Sequence, residues 1–161
     1  MLRRSPAWTS TIVAATLVCT TAPLAAAQGY PGTHTLVTRY SYPMLLGRLR
    51  RAVKDQHMAV VAIASASQGA AARGVQIPGN AVVMVFRNDY AVRMLHDNVA
   101  AGIEAPLRIY VTENPNGKAS LTYRTPSAVF APYHDAKLNR LARQLDPVFQ
   151  KIVGEAAGTQ K

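Results

Sequence analysis

The sequence predicts an α+β domain in two layers, with strands and helices in the order β-α-β-β-β-β-α. An antiparallel sheet would carry helices on one face. Five short segments are either uninterrupted apolar runs or alternate between apolar and polar residues, as strands do. Two longer segments, near the two ends of the domain, repeat apolar residues at the three- and four-residue spacing of amphipathic helices.

The first strand is predicted over residues 34–41, which are rich in β-branched and aromatic side chains. Pro43 suits the first turn of a helix. An apolar stripe follows at helical spacing, with arginines and a lysine on the other face. Because this stripe is needed for the core, we expect the helix to pack inside the domain rather than lie on a membrane. The stripe consists of Leu45, Leu49, Ala52 and Val53.

Residues 58–64 predict the second strand, and the small residues at 65–74 predict a short helix and a turn. That glycine- and serine-containing stretch matches neither the Walker pattern nor the dinucleotide-binding pattern, so we expect no cofactor. Residues 81–86 form an unbroken apolar run, which favours a strand covered on both faces. Asn88 or Asp89 can cap the helix that follows, and Gly102 suits its left-handed end.

Two further strands are predicted at residues 107–112 and 119–124, joined by a turn that Pro115 and Gly117 favour. Residues 125–134 are predicted to form a loop. Asp135 can cap a last helix, which Pro147 should kink or split, with Asp146 capping the second half. From Gly154 onward the helix is expected to fray.

Residues 1–27 have the pattern of a secretory signal peptide. Arg3 and Arg4 give a positive start, an apolar core follows at residues 11–20, and three alanines at 25–27 suit cleavage near Ala27. We therefore expect a periplasmic or secreted protein with a single domain over residues 28–161 and no membrane span after cleavage. The core of the signal is short for a permanent anchor.

Cleavage would change the chemistry of the chain. It would remove Cys19, the sole cysteine, and lower the net charge from +10 to +10 − 2 = +8. The mature chain could then form no disulfide and no thiolate ligand. Its basic surface favours an anionic partner, and in an exported protein this is a small anionic ligand or an anionic envelope component rather than nucleic acid. The alternative is that the charge serves solubility alone.

Arg87, Asn88 and Arg108 are the candidate ligand-binding residues. They would border the start of the helix after the central strand, where free backbone amides and guanidinium groups attract an anion. The alternative is that Asn88 is a helix cap and both arginines are solvated surface charges.

The sequence predicts no metal site, since its histidines have no ligand spacing; they are His34, His57, His96 and His134. No Gly-x-Ser-x-Gly elbow is present, and no catalytic residue can be assigned.

The chain resembles the bacterial and archaeal domain of unknown function 302 family, as an exported member. The resemblance covers about residues 35–152 and implies a fold of the TATA-binding-protein-like group, with no activity to transfer. Many members have Asn-Pro in place of Asn88-Asp89, and many have a cysteine at the position of Leu107. The motifs that support the resemblance are residues 85–89, 105–109, the turn at Gly117 and residues 123–126.

Three classes of function therefore remain open. The first is a non-enzymatic module that binds a small molecule or anion, in a groove between sheet and helices, or that binds a partner. The second is a hydrolase-type enzyme whose His, Asp and Tyr groups converge only in the fold. The third is a structural protein held to the cell envelope through its basic face.

Overall fold

The structure, a computed structural model, describes residues 29–159. Its strands are β1 (Thr33–Val37), β2 (Ala59–Ala64), β3 (Asn80–Phe86), β4 (Leu107–Glu113) and β5 (Ala119–Arg124). Its helices are α1 (Tyr42–Asp55), α2 (Ala66–Ala71), α3 (Asn88–Asp97), α4 (Pro126–Phe130) and α5 (Ala136–Ala157), with 3-10 segments at Val99–Glu104 and Ala131–Tyr133. The strands form one antiparallel sheet in the order β1-β5-β4-β3-β2, which confirms the predicted α+β class.

The hydrophobic core lies between one face of the sheet and the helices, chiefly α1 and α5. Strand β4 illustrates how the sheet divides into a buried and an exposed face. Leu107, Ile109 and Val111 are buried, whereas Arg108 and Tyr110 are exposed. Alternate residues of a strand point to opposite faces, so the helices cover one face and leave the other open. In α1 the four residues of the predicted apolar stripe are all buried.

Arg48 of α1 ties this helix to the end of α5. Its Nε and Nη2 donate to the carbonyl oxygens of Ala156 and Glu155, each at 2.7 Å. The same guanidinium lies 4.3 Å above the ring of Tyr40. A cation at the carboxyl end of a helix satisfies carbonyls that have no partner within the helix and complements the helix dipole.

The central region differs from expectation in two ways. β3 is not covered on both faces, because its residues alternate between buried and half-buried. The helix after it ends at Asp97 rather than at Gly102, since Asn98 is extended and its side chain accepts from the Ala101 amide, which starts a 3-10 segment. Gly102 does not have the left-handed conformation that was predicted.

The carboxyl-terminal region also differs. Residues 126–130, predicted as loop, form α4, with Thr125 capping the Ala128 amide. α5 continues through Pro147 to Ala157, because large buried side chains on both sides of the proline hold it against the sheet. The Asp146 carboxylate does not cap a second helix but accepts from the Ser127 amide at 2.9 Å.

Candidate functional site

Arg87 is engaged within its own segment. It occupies the position before α3, and its Nε and Nη2 donate to the two carboxylate oxygens of Asp89 at 2.7 and 3.0 Å. Its guanidinium lies 4.1 Å from the centre of the Tyr90 ring. The hydrogen bonds from Arg87 lower the pKa of the Asp89 carboxyl below its ordinary value. The guanidinium group of Arg87 thus has Asp89 as its partner within the same segment.

The three predicted residues do not form one patch. Asn88 is exposed and makes no side-chain cap, because the cap position falls one residue earlier, at Arg87. Arg87 borders a narrow helix-side cavity of about 40 Å³ together with Tyr90 and Leu141. Arg108 lies on the open face of the sheet, since its neighbour in the strand, Leu107, points into the core.

The structure instead places Arg124 beside Arg108. Ile109 of β4 pairs with Tyr123 of β5, and the next step of the same antiparallel register sets Arg108 next to Arg124. Both side chains belong to the open face, and both line the same groove. Like charges on neighbouring strands repel each other and are destabilising unless something compensates them. We refer to these two residues as the arginine pair.

The open-face groove has a volume of about 320 Å³. Its lining includes threonine hydroxyl groups as well as the arginine pair, and the Glu104 carboxylate. Apolar atoms from β3, β4 and α4 line the rest, so the groove combines a charged end with an apolar wall. Besides the arginine pair, its lining residues include Thr33, Thr122, Tyr110, Val82, Val129 and Glu104.

Glu104 is the acidic residue that lines this groove. Its Oε2 lies 3.6 Å from Arg108 Nη2, and its Oε1 accepts from the Tyr133 hydroxyl at 3.4 Å. Partial burial and then the adjacent carboxylate raise the pKa of Tyr133. The groove therefore holds two guanidinium groups against one carboxylate, and that carboxylate is shared with a tyrosine hydroxyl.

Arg124 is held in position by its own contacts. Its Nε and Nη2 donate to the carbonyl oxygens of Pro31 at 3.4 Å and Ala128 at 3.1 Å, and its guanidinium lies 5.6 Å from the Tyr30 ring centre. Arg108 has fewer contacts to hold it, because its side chain is 61% exposed and its ion pair with Glu104 spans 3.6 Å. One arginine of the pair is thus preorganised, and the other can adapt to a ligand.

Glu104 and His34 line different grooves. The open-face groove contains a carboxylate and tyrosines but no histidine, whereas His34 lines a separate groove between β1 and α5 that contains no carboxylate. Among residues 29–159, no cluster of three or more His, Cys, Asp or Glu side chains is placed to hold a metal ion. Over the same range no helix combines the length and the apolar character needed to cross a bilayer.

Comparisons with known proteins agree with this fold. The family model described as domain of unknown function DUF302 matches residues 34–155. The chain is similar to the crystal structure of the uncharacterized conserved protein DUF302 from Bacillus stearothermophilus, with a TM-score of 0.71 and 16% sequence identity. The likeness covers 78% of this chain and 98% of that one. Among curated proteins, none matches the sequence.

Proposed function

The chain belongs to the family described as domain of unknown function DUF302, and we propose that it is a binding module whose open-face groove holds a small anionic ligand. The arginine pair is the observation that supports this proposal. Two guanidinium groups line one groove on the face of the sheet opposite α1 and α5, and the Glu104 carboxylate lies close to Arg108. A bound anion would relieve their mutual repulsion.

The chemistry of the groove narrows the class of ligand. A guanidinium group presents parallel N–H donors that match the oxygens of a carboxylate, phosphate or sulfate. The Thr33 and Thr122 hydroxyls can donate to further ligand oxygens. Tyr110 and Val82 offer an apolar wall next to these donors. We therefore propose a small molecule that carries one anionic group and an apolar portion.

A thermal-shift titration tests the proposal. Wild type, Arg108→Gln, Arg124→Gln and the matched control Arg50→Gln, which removes an exposed charge from α1, would be titrated with phosphate, sulfate and succinate. Sodium chloride at equal ionic strength controls for screening. We expect at least one of these anions to raise the Tm of wild type and of Arg50→Gln, and to bind at least about tenfold more weakly to either groove variant.

Two results would contradict the proposal. One is a Tm that none of the three anions raises above the chloride control. The other is stabilisation that persists undiminished in both groove variants. Because Arg124 also bonds to the Pro31 and Ala128 carbonyls, Arg124→Lys is included to retain the charge. If Arg124→Gln lowers the Tm without ligand, Arg108→Gln still decides the question.

We also propose that the chain is exported. The proposal rests on the arginines at positions 3 and 4, the apolar core after them and the alanines at 25–27, all of which lie outside the described residues. In such a compartment the groove would meet small anionic solutes or anionic envelope components.

A further inference from the structure

Among residues 29–159, no strand pairs with the outer edge of β1. On the β5 side, the Thr38 amide donates to the Ala119 carbonyl at 3.0 Å, and the Thr125 amide donates to the Gly32 carbonyl at 2.9 Å. In an antiparallel ladder, backbone groups alternate between the two sides of a strand. The N–H and C=O groups of Thr35 and Val37 therefore point away from β5, toward the free edge of the sheet.

This edge lacks the usual protective features. Residues 33–37, Thr-His-Thr-Leu-Val, contain no proline and no lysine, arginine or acidic residue, and their pairing with β5 is regular. The opposite edge differs, because β2 has a register shift between Val60 and Ala62. Bulges, prolines and charges are the means by which natural sheets prevent strand addition. β1 is thus the edge that is open to a further strand.

A groove runs beside this edge, between β1 and α5. It has a volume of about 430 Å³ and is lined on the sheet side by His34 and Leu36, the residues of β1 that face the helices. Its helix wall includes Pro147, Gln150 and Lys151. A strand added to β1 would place every second side chain in this groove. An exposed edge strand with a neighbouring groove is the arrangement used for peptide recognition by strand addition.

Charge indicates which partner fits. Arg39 follows β1 at one end, Arg124 stands opposite Thr33 at the other, and Lys151 lies on the helix wall. The two acidic residues of α5 have hydrogen-bond donors of their own: Asp146 accepts from the Ser127 amide, and Glu155 accepts from Gln56 Nε2. A second copy of this chain would bring the same positive charge, which is +10 for the full sequence, against these cations. An acidic segment would be attracted to them.

We propose that the β1 edge and the β1–α5 groove form a docking site for an extended acidic segment of another polypeptide. The segment adds to the sheet as a strand next to β1. The outward N–H and C=O groups of Thr35 and Val37 form backbone hydrogen bonds to it, and its alternate side chains enter the groove. This site adjoins the open-face groove, with which it shares Tyr123 and the charge of Arg124, but strand addition at β1 does not require an anion in that groove.

Fluorescence anisotropy with a labelled peptide that alternates valine and glutamate tests this docking site, and a peptide that alternates valine and lysine is the charge control. Thr35→Pro removes an N–H that points away from β5, so the β1–β5 ladder is retained. Both variants lose the hydrogen bond between the hydroxyls of Thr35 and Thr122, but Thr35→Ala keeps the backbone N–H. We expect wild type and Thr35→Ala to bind the acidic peptide, and Thr35→Pro to bind at least about tenfold more weakly.

Amide NMR of the wild-type protein gives a readout that does not depend on any variant. We expect the acidic peptide to slow hydrogen exchange of the Thr35 and Val37 amides, and the lysine peptide to leave it unchanged. Equal binding of both peptides, no protection of these amides, or undiminished binding by folded Thr35→Pro would overturn the proposal. So would concentration-dependent dimers that Thr35→Pro abolishes, because the occupant of the edge would then be a second copy.

Discussion

Gly117 has a φ of +72° in the turn between β4 and β5, where an added Cβ would meet no atom within 4 Å. A substitution there is therefore strained by backbone conformation alone. We expect Gly117→Val to lower the free energy of unfolding by about 1 kcal/mol or more, because a β-branched residue is poorly accommodated in the left-handed region. Urea unfolding followed by circular dichroism measures the change.

Gly47 provides the matched control for this substitution. It also has open space around its Cβ position, but it lies within α1 and lacks positive φ. Replacing a glycine in a helix interior by alanine generally stabilises a protein by about 0.5–1 kcal/mol. We expect Gly47→Ala to raise the free energy of unfolding. If Gly117→Val left this free energy unchanged, the left-handed conformation would be contradicted.

At the residue scale, the predicted set of Arg87, Asn88 and Arg108 is not brought together, because Arg87 and Arg108 line different cavities. Arg87 precedes α3 and forms an ion pair with Asp89. The sequence pattern does not determine whether an arginine at this position pairs with its neighbour or points elsewhere. Arg124 could have been identified, because the tight turn at Gly117 sets the register of the β4–β5 hairpin. Counting back from the Glu113–Ala119 pair places Arg124 next to Arg108.

At the element scale, Arg48 links the start and the end of the domain. Its two hydrogen bonds to the carbonyls of Glu155 and Ala156 are charge-assisted and half-buried. We expect Arg48→Met, which retains an unbranched apolar stem, to lower the free energy of unfolding by about 1–3 kcal/mol. Chemical denaturation gives this value.

Arg50→Met is the control for the Arg48 variant, since Arg50 is on the exposed side of the same helix. Changes at exposed positions are usually within about 0.5 kcal/mol. If both substitutions lowered the free energy of unfolding equally, the hydrogen bonds to α5 would make no specific contribution to stability. The loss would then come from removing a positive charge from α1.

The helices were harder to predict where local signals compete with packing. Thr125-Pro126 is a helix-start signal, with a capping hydroxyl before a proline at the first position, and it marks α4 in a segment predicted as loop. Pro147 is a helix breaker in isolation, at about 3 kcal/mol. In α5, buried Leu145 and Phe149 beside it outweigh that preference, which no local pattern reveals.

At the scale of the whole molecule, hydrophobic periodicity was sufficient to predict the fold class and the antiparallel hairpin. It was not sufficient to predict that β1 pairs with β5, because contacts distant in sequence decide strand order. The β3 apolar run likewise gave no sign that one face of the sheet is open. The sequence therefore contained no indication of the open-face groove, which lies on the face opposite α1 and α5.

The export proposal makes a prediction about the whole chain. We expect the mature protein to begin near residue 28, because signal peptidase favours small residues such as the alanines at 25–27. Amino-terminal sequencing of protein from the native host measures this directly. Ala25→Leu with Ala27→Leu should block cleavage and leave a longer chain. A soluble wild-type chain that still begins at Met1 would count against export.

The link between Arg48 and the end of α5 also bears on when the chain can fold. β1 cannot pair with the sheet until β5 has been synthesised. Arg48 of α1 likewise donates its hydrogen bonds to the carbonyls of Glu155 and Ala156, more than 100 residues further along the chain. Closing such a long span of chain is slow, and local contacts formed earlier do not replace it. In a nascent polypeptide this link cannot form before α5 has been synthesised. Before that point α1 lacks the two hydrogen bonds that Arg48 donates to α5 in the folded domain.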